Sequence, residues 1–102
     1  MKVILSPFAE SELEKIVKYY AENVSPQMAK NIFNGISDSL VKLSKYSNIG
    51  AIEKNLSSFN KNHHFIVSVN YKIIFRKIEN KILVTDIFDA RQDPDKLAER
   101  NK

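Results

Sequence analysis

Cysteine is absent from the 102-residue sequence, which removes disulfides, thiolate chemistry and cysteine-based zinc sites together. Its absence suits a reducing compartment, and a cytoplasmic protein is expected. Glycine and proline are scarce, at 2 and 3 residues, while 43% of residues are apolar. That is the composition of a folded domain, not of a disordered chain. Long apolar runs are missing too. The start offers Val3-Ile4-Leu5, far short of a secretory core, and no stretch approaches the length that spans a bilayer. Neither a signal peptide nor a membrane partner is expected. The length fits one domain, 1–102, with a modest core carried by a few aliphatic positions.

The charge balance is mild, with 16 basic against 12 acidic residues and a net charge of +4. Its distribution says more than its sum. Between residues 7 and 26 lie Glu10, Glu12, Glu14 and Glu22 against only Lys15 and Lys18. Between residues 65 and 92 the basic side chains outnumber the acidic ones. An acidic early face and a basic later face suggest two surfaces with different partners.

Order along the chain is readable from spacing. Lys2 to Leu5 is a short β-branched-rich strand ending at Ser6-Pro7. Serine before proline is a helix-start signal, because the hydroxyl accepts a free backbone N–H and proline fits the first turn. Ala9, Leu13, Ile16, Val17, Tyr20 and Val24 then form a helical stripe. Ser25-Pro26 repeats the device, and Ala29, Ile32, Phe33, Ile36, Leu40 and Leu43 form a second stripe. Two helices so tightly joined should make an antiparallel hairpin.

Residues 44–62 lose periodicity and read as a long connection anchored by Ile49, Ile52, Leu56 and Phe59. Three strands follow: His64 to Val69, Tyr71 to Ile78, and Lys81 to Phe88, with turns at Asn70 and Glu79-Asn80. Alternation puts Phe65, Val67 and Val69 on one face, and Tyr71, Ile73 and Phe75 on one face. Lys72 and Arg76 then point the other way. The tail from Ala90 reads as a loop with a short helix around Leu97. The order is strand, helix, helix, strand, strand, strand: an α+β domain with a helical hairpin packed on a small, twisted, mainly antiparallel sheet.

Two segments of this order carry a family resemblance. The opening "KVILSPFAESELEKIVKYY", followed by the second Ser-Pro helix, and the later "NYKIIFRKIENKILVTDIFDARQDP" resemble the ParE-type toxins of the RelE/ParE superfamily. The likeness runs from residue 2 to about 97. It implies the toxin of a bacterial type II toxin-antitoxin pair, with a cognate antitoxin as partner and no cofactor. The superfamily divides by chemistry. ParE-type members are known for poisoning DNA gyrase, and RelE-type members cut messenger RNA on the ribosome.

Metal-independent RNA cleavage needs a deprotonated 2′-hydroxyl, a protonated leaving oxygen and neutralised phosphorane charge. By resemblance, His64, Lys72 and Arg91 are the candidates for such a site. Against it, the residues after Arg91 are Gln92-Asp93-Pro94-Asp95, with no later tyrosine or histidine. The ending fits the ParE branch better. Lys72, Arg76, Arg91 and Gln92 are then candidates for binding a protein target, with gyrase first and ribosome or messenger RNA as alternative. A non-toxic binding module with the same fold is a third reading.

Blander roles stand beside each candidate. His63 and His64 face opposite ways on a strand and read as a solvated pair at a loop end. Lys72 and Arg76 suit a merely solvated sheet face equally well. Arg91 has Asp89 as its nearest ion-pair partner. Asp86, Asp89, Asp93 and Asp95 read as solvated turn carboxylates and not as a metal site.

Overall fold

The computed structural model describes residues 1–59 and 61–101. Residue 60 of the expected connection and residue 102 of the tail lie outside the described residues. The helical hairpin is as expected. Helix α1 spans Pro7–Asn23 and α2 spans Pro26–Lys45. The Ser6 hydroxyl accepts from the Ala9 amide at 3.1 Å, and the Ser25 hydroxyl from the Met28 amide at 3.0 Å. Each serine thus satisfies a first-turn donor that the helix leaves free.

The sheet has five strands in the order β1-β5-β4-β3-β2. They are β1 (Lys2–Leu5), β2 (Ala51–Ile52), β3 (His64–Ser68), β4 (Tyr71–Ile78) and β5 (Lys81–Asp89). Only β1 with β5 is parallel. The core is split by the sheet. On one face, Ala9, Ile32, Ile36 and Leu43 of the hairpin pack on Tyr71, Ile73, Phe75, Ile82, Val84 and Ile87. On the other, Leu56, Ile74, Phe88 and Leu97 gather, with Phe59, Phe65 and Ala98 against them. Each aliphatic side chain so buried contributes about 1.5–3 kcal/mol.

One irregularity makes the second cluster possible. Ile74 pairs with Asp86 but Phe75 pairs with Val84, so Thr85 is an extra residue in β5. This bulge shifts the alternation, putting Val84 and Ile87 on the hairpin face and Asp86 and Phe88 on the other.

Two expectations need correction. The segment 44–62, expected as a long anchored connection, holds regular structure of its own. Strand β2 pairs with β3, and a 3-10 helix over Lys54–Phe59 buries Leu56, because the second sheet face needs a cover. Gly50 permits the entry, with φ +108°; a Cβ there would sit 3.0 Å from both the Phe65 carbonyl oxygen and the Phe75 ring. Val69 is not a strand residue but opens the two-residue turn to β4, with φ +57°. The tail forms the expected short helix around Leu97, α3 (Asp95–Arg100), which docks through that fully buried side chain. No helix among the described residues is long and apolar enough to cross a membrane.

Candidate functional site

The site is built where β4 begins and β5 ends. Tyr71 and Asp89 are paired across the two strands, and the Ala90 amide donates to the Asn70 carbonyl at 2.7 Å. This closes the chain end against the β3–β4 turn. Arg91 then folds back on Asp89. Its Nε donates to Oδ1 at 3.0 Å, its Nη2 to Oδ2 at 2.8 Å and its backbone N–H to Oδ1 at 2.9 Å. Asn70 Nδ2 adds a weaker bond at 3.3 Å. The guanidinium fork holds the Asp89 carboxyl down at about 2 against the opposing effect of partial burial. Arg91 itself stays two-thirds exposed.

Beside this fork, α1 contributes aromatic side chains. The Tyr71 hydroxyl donates to the Tyr20 hydroxyl at 3.4 Å, and Tyr19 meets Tyr20 edge-on at 5.5 Å. Burial, helped by the bond to Tyr20 and the nearby Asp89 charge, pushes the Tyr71 phenol well up, so it stays protonated. Together with Lys15, Gln92 and Arg91, these rings line an open groove of about 330 Å³.

Glu12 and Arg100, which also line the groove, belong to an ion network. Arg100 Nη2 lies 3.0 Å from Glu12 Oε1 and 2.9 Å from Asp86 Oδ1, and Asn101 Nδ2 donates to Asp86 Oδ2 at 2.8 Å. The guanidinium also lies over the Phe8 and Phe88 rings, at 5.2 and 5.3 Å. Asp86 is fully buried, and burial raises its pKa although Asn101 and Arg100 pull it down. The reading of Asp86 and Asp89 as solvated turn carboxylates is therefore corrected. The β5 bulge turns Asp86 inward, and Arg91 claims Asp89. Asp93 and Asp95 are exposed, and Asp93 accepts from the Asp95 amide at 3.0 Å. Among the described residues no three His, Asp or Glu side chains gather as a metal ion requires.

Lys72 and Arg76 lie on the opposite side of the sheet, whereas His64 pairs with Phe75 and stacks on its ring at 6.0 Å on the hairpin side. Lys72 Nζ meets Glu53 Oε2 at 2.8 Å and stands 4.3 Å above the Phe65 ring. Glu53 is almost wholly buried. Burial alone would raise its carboxyl, but the Lys72 ammonium and the Asn55 donors outweigh it and the net shift is downward. Arg76 Nε donates to the Lys61 carbonyl at 3.2 Å, and His64 Nδ1 lies 2.9 Å from the Asn62 carbonyl. His63 is buried, not solvated as expected. Its imidazole packs edge-on to Phe59, and its Nδ1 has no partner among the described residues. Burial, then the charges of Arg76 and Lys61, lower its pKa and keep it neutral.

Arg91 and Gln92 are thus brought together, with Tyr71 and Tyr20, while Lys72 lines a separate hollow with Glu53 and Phe65. His64, Lys72 and Arg91 do not converge. Sequence reading missed Glu53 and Arg100, which carry no local signal. It also missed the groove role of Glu12, Tyr19 and Tyr20, although seven- and eight-residue spacing puts all three on one side of α1.

A second concavity lies on the outside of the hairpin. Leu13, Val17 and Phe33 line about 470 Å³ between α1 and α2, rimmed by Glu10, Glu14 and Lys18.

Comparison with known proteins bears on most of the chain. A family model described as the ParE toxin of the type II toxin-antitoxin system parDE matches residues 3–94. The fold is similar to that of a solved chain from the chromosomal ParDE toxin-antitoxin system of P. aeruginosa. The TM-score is 0.73 and the identity 18%, over 89% of this chain and 97% of that one. At that identity the likeness is one of fold. No curated protein matches the sequence.

Proposed function

The chain belongs to the ParE toxin family of type II toxin-antitoxin systems, and from that premise we propose that it acts by binding a protein target, DNA gyrase, and is silenced by its cognate antitoxin. The observation that carries the choice of a protein target is the state of the cations. A ribonuclease needs free positive charge beside a proton carrier. Here Lys72 is committed to Glu53 and Arg91 to Asp89, on different sides of the sheet. Within the Arg91 groove, Tyr71 stays protonated, Asp89 is too acidic to be a useful base, and Glu12 is tied to Arg100. What remains is a rigid rim with an exposed guanidinium and aromatic rings, which are the side chains enriched in protein contacts.

The antitoxin has a natural seat of its own. The Leu13–Val17–Phe33 groove carries two glutamates on its rim and suits a segment that is apolar on one side and basic on the other. Phe33→Asp would then weaken neutralisation by the antitoxin while leaving the effect on the target intact.

The decisive experiment adds purified protein to gyrase and relaxed plasmid. Loss of supercoiling is expected, together with intact message in a ribosome-containing translation extract. Unchanged supercoiling at large molar excess would refute the gyrase reading, and Arg91-dependent cleavage of message would favour the ribonuclease.

A further inference from the structure

Two hairpin tips of the sheet share one backbone. Val69-Asn70 joins the paired residues Ser68 and Tyr71, and Glu79-Asn80 joins Ile78 and Lys81. In each the first turn residue has positive φ, 57° at Val69 and 56° at Glu79. Such a position favours glycine, because any Cβ crowds the following carbonyl. A β-branched side chain is the least tolerated there. Val69 also gains nothing from burial. At 69% it is the most exposed of the large apolar side chains among the described residues. Neither backbone preference nor the hydrophobic effect accounts for valine at this point. An outlier that folding does not need points to a role in contact.

Its surroundings supply that role. The Asn70 carbonyl accepts from Ala90 at 2.7 Å, and Asn70 Nδ2 donates to the Asp89 carboxylate that Arg91 grips. The tip is therefore bolted to the Asp89–Arg91 fork through Asn70, the residue that follows Val69. Only Asp89 accepts from Arg91 among the described residues, through Nε and Nη2, so the outer edge of the guanidinium remains available. The Glu79 tip has no such company. It lies at the opposite end of the β4–β5 hairpin and carries a charge that water accommodates.

We propose that Val69 is the apolar anchor with which this toxin engages its protein target, carried on the turn that Asn70 ties to the Asp89–Arg91 fork. This rests on the reading of a protein target above. The matching surface on the partner is an apolar socket flanked by a carboxylate. Rigid mounting of the tip lowers the ordering cost of contact, which is where a single exposed valine becomes worth its strain.

The test compares Val69→Gly, Val69→Asn and Glu79→Gly with the unaltered chain. Glycine and asparagine both accept the left-handed backbone, so neither endangers the fold. Each variant is scored for melting temperature, for growth arrest on induction at matched soluble levels, and for inhibition of gyrase supercoiling. Val69→Gly should melt higher than the parent. Both Val69 variants should lose potency by roughly tenfold or more. Glu79→Gly should gain stability and keep full potency. Growth arrest by either Val69 variant within about twofold of the parent would overturn the inference. A parent that arrests growth yet leaves supercoiling untouched refutes gyrase as the target, and the growth data still decide the role of Val69. A parent that does not arrest growth refutes both.

Discussion

Lys72→Ala separates stability from function at the residue that the sequence offers most readily as a site. Glu53 is almost wholly buried and keeps its charge because Lys72 lies 2.8 Å away, with Asn55 donating twice more. Removing the ammonium leaves a buried carboxylate that two amide donors cannot satisfy. Breaking such a pair from one side costs about 3–5 kcal/mol, and the partial exposure of Lys72 places this one near 3. For a domain of this size that is a fall in melting temperature of roughly 12–24 °C. The same substitution in a Glu53→Gln background should cost about 1 kcal/mol, since an amide tolerates the loss. Acid provides the second signature. In the parent the Glu53 carboxyl is depressed, so the stability it contributes is present above its ordinary value and lost as pH falls through the folded one. In Lys72→Ala, only the Asn55 donors oppose burial, so the carboxyl rises and protonation relieves the variant. The gap between parent and variant must therefore narrow from pH 7 towards pH 4. Urea unfolding followed by far-UV circular dichroism measures it. A variant within about 0.5 kcal/mol of the parent, or a gap that ignores both pH and the Glu53→Gln background, would refute the reasoning.

Other consequences are equally specific. Gly50→Ala forces a Cβ to 3.0 Å from the Phe65 carbonyl and the Phe75 ring at φ +108°, and should cost about 2–3 kcal/mol by chemical denaturation. Arg100→Ala leaves fully buried Asp86 with Asn101 and the Ile87 backbone but no cation, and should destabilise by about 3 kcal/mol; a loss under 1 kcal/mol would mean that Asp86 is protonated in the parent. Asp89, depressed to about 2 by the Arg91 fork, contributes stability that is present above its unfolded value near 3.8 and lost as pH falls towards 2. In Arg91→Ala its carboxyl carbon, followed by NMR, should titrate back towards 3.8, with only a small loss of stability because the guanidinium is largely exposed.

The hairpin, the three consecutive late strands and the tail helix were legible because each is announced locally. Ser6-Pro7 and Ser25-Pro26 cap the two helices that the apolar spacing outlines. Tyr71, Ile73 and Phe75 alternate into the core as their period demands. The segment 44–62 was not legible, for a physical reason. Strand β2 is two residues long and the 3-10 helix six, too short for any period to register. Their order comes from a sheet face that needs covering, which is a tertiary fact. Val69 failed similarly. The pattern extends the strand through it, and only the closing pair Ser68–Tyr71 shows that the turn begins one residue earlier.

The site divides along the same line. Arg91 with Asp89 was readable as a neighbouring pair, because a two-residue separation needs no fold to bring it together. Glu53 with Lys72, and Asp86 with Arg100, are separated by 19 and 14 residues and gave no warning. Yet these pairs decide the chemistry. A lysine read in isolation is a free cation fit to hold a phosphate. The same lysine beside a buried carboxylate is half of a neutral unit. The extra residue at Thr85 has the same kind of effect. It turns Asp86 from a turn carboxylate into the buried acceptor that anchors α3, and it leaves Asp89 facing the Arg91 groove. One inserted residue thus separates the charge that holds the fold from the charge that is offered at the surface. For that reason loss of toxicity in Arg91→Ala, with its small stability cost, bears on target binding, whereas loss in Lys72→Ala or Arg100→Ala bears first on folding.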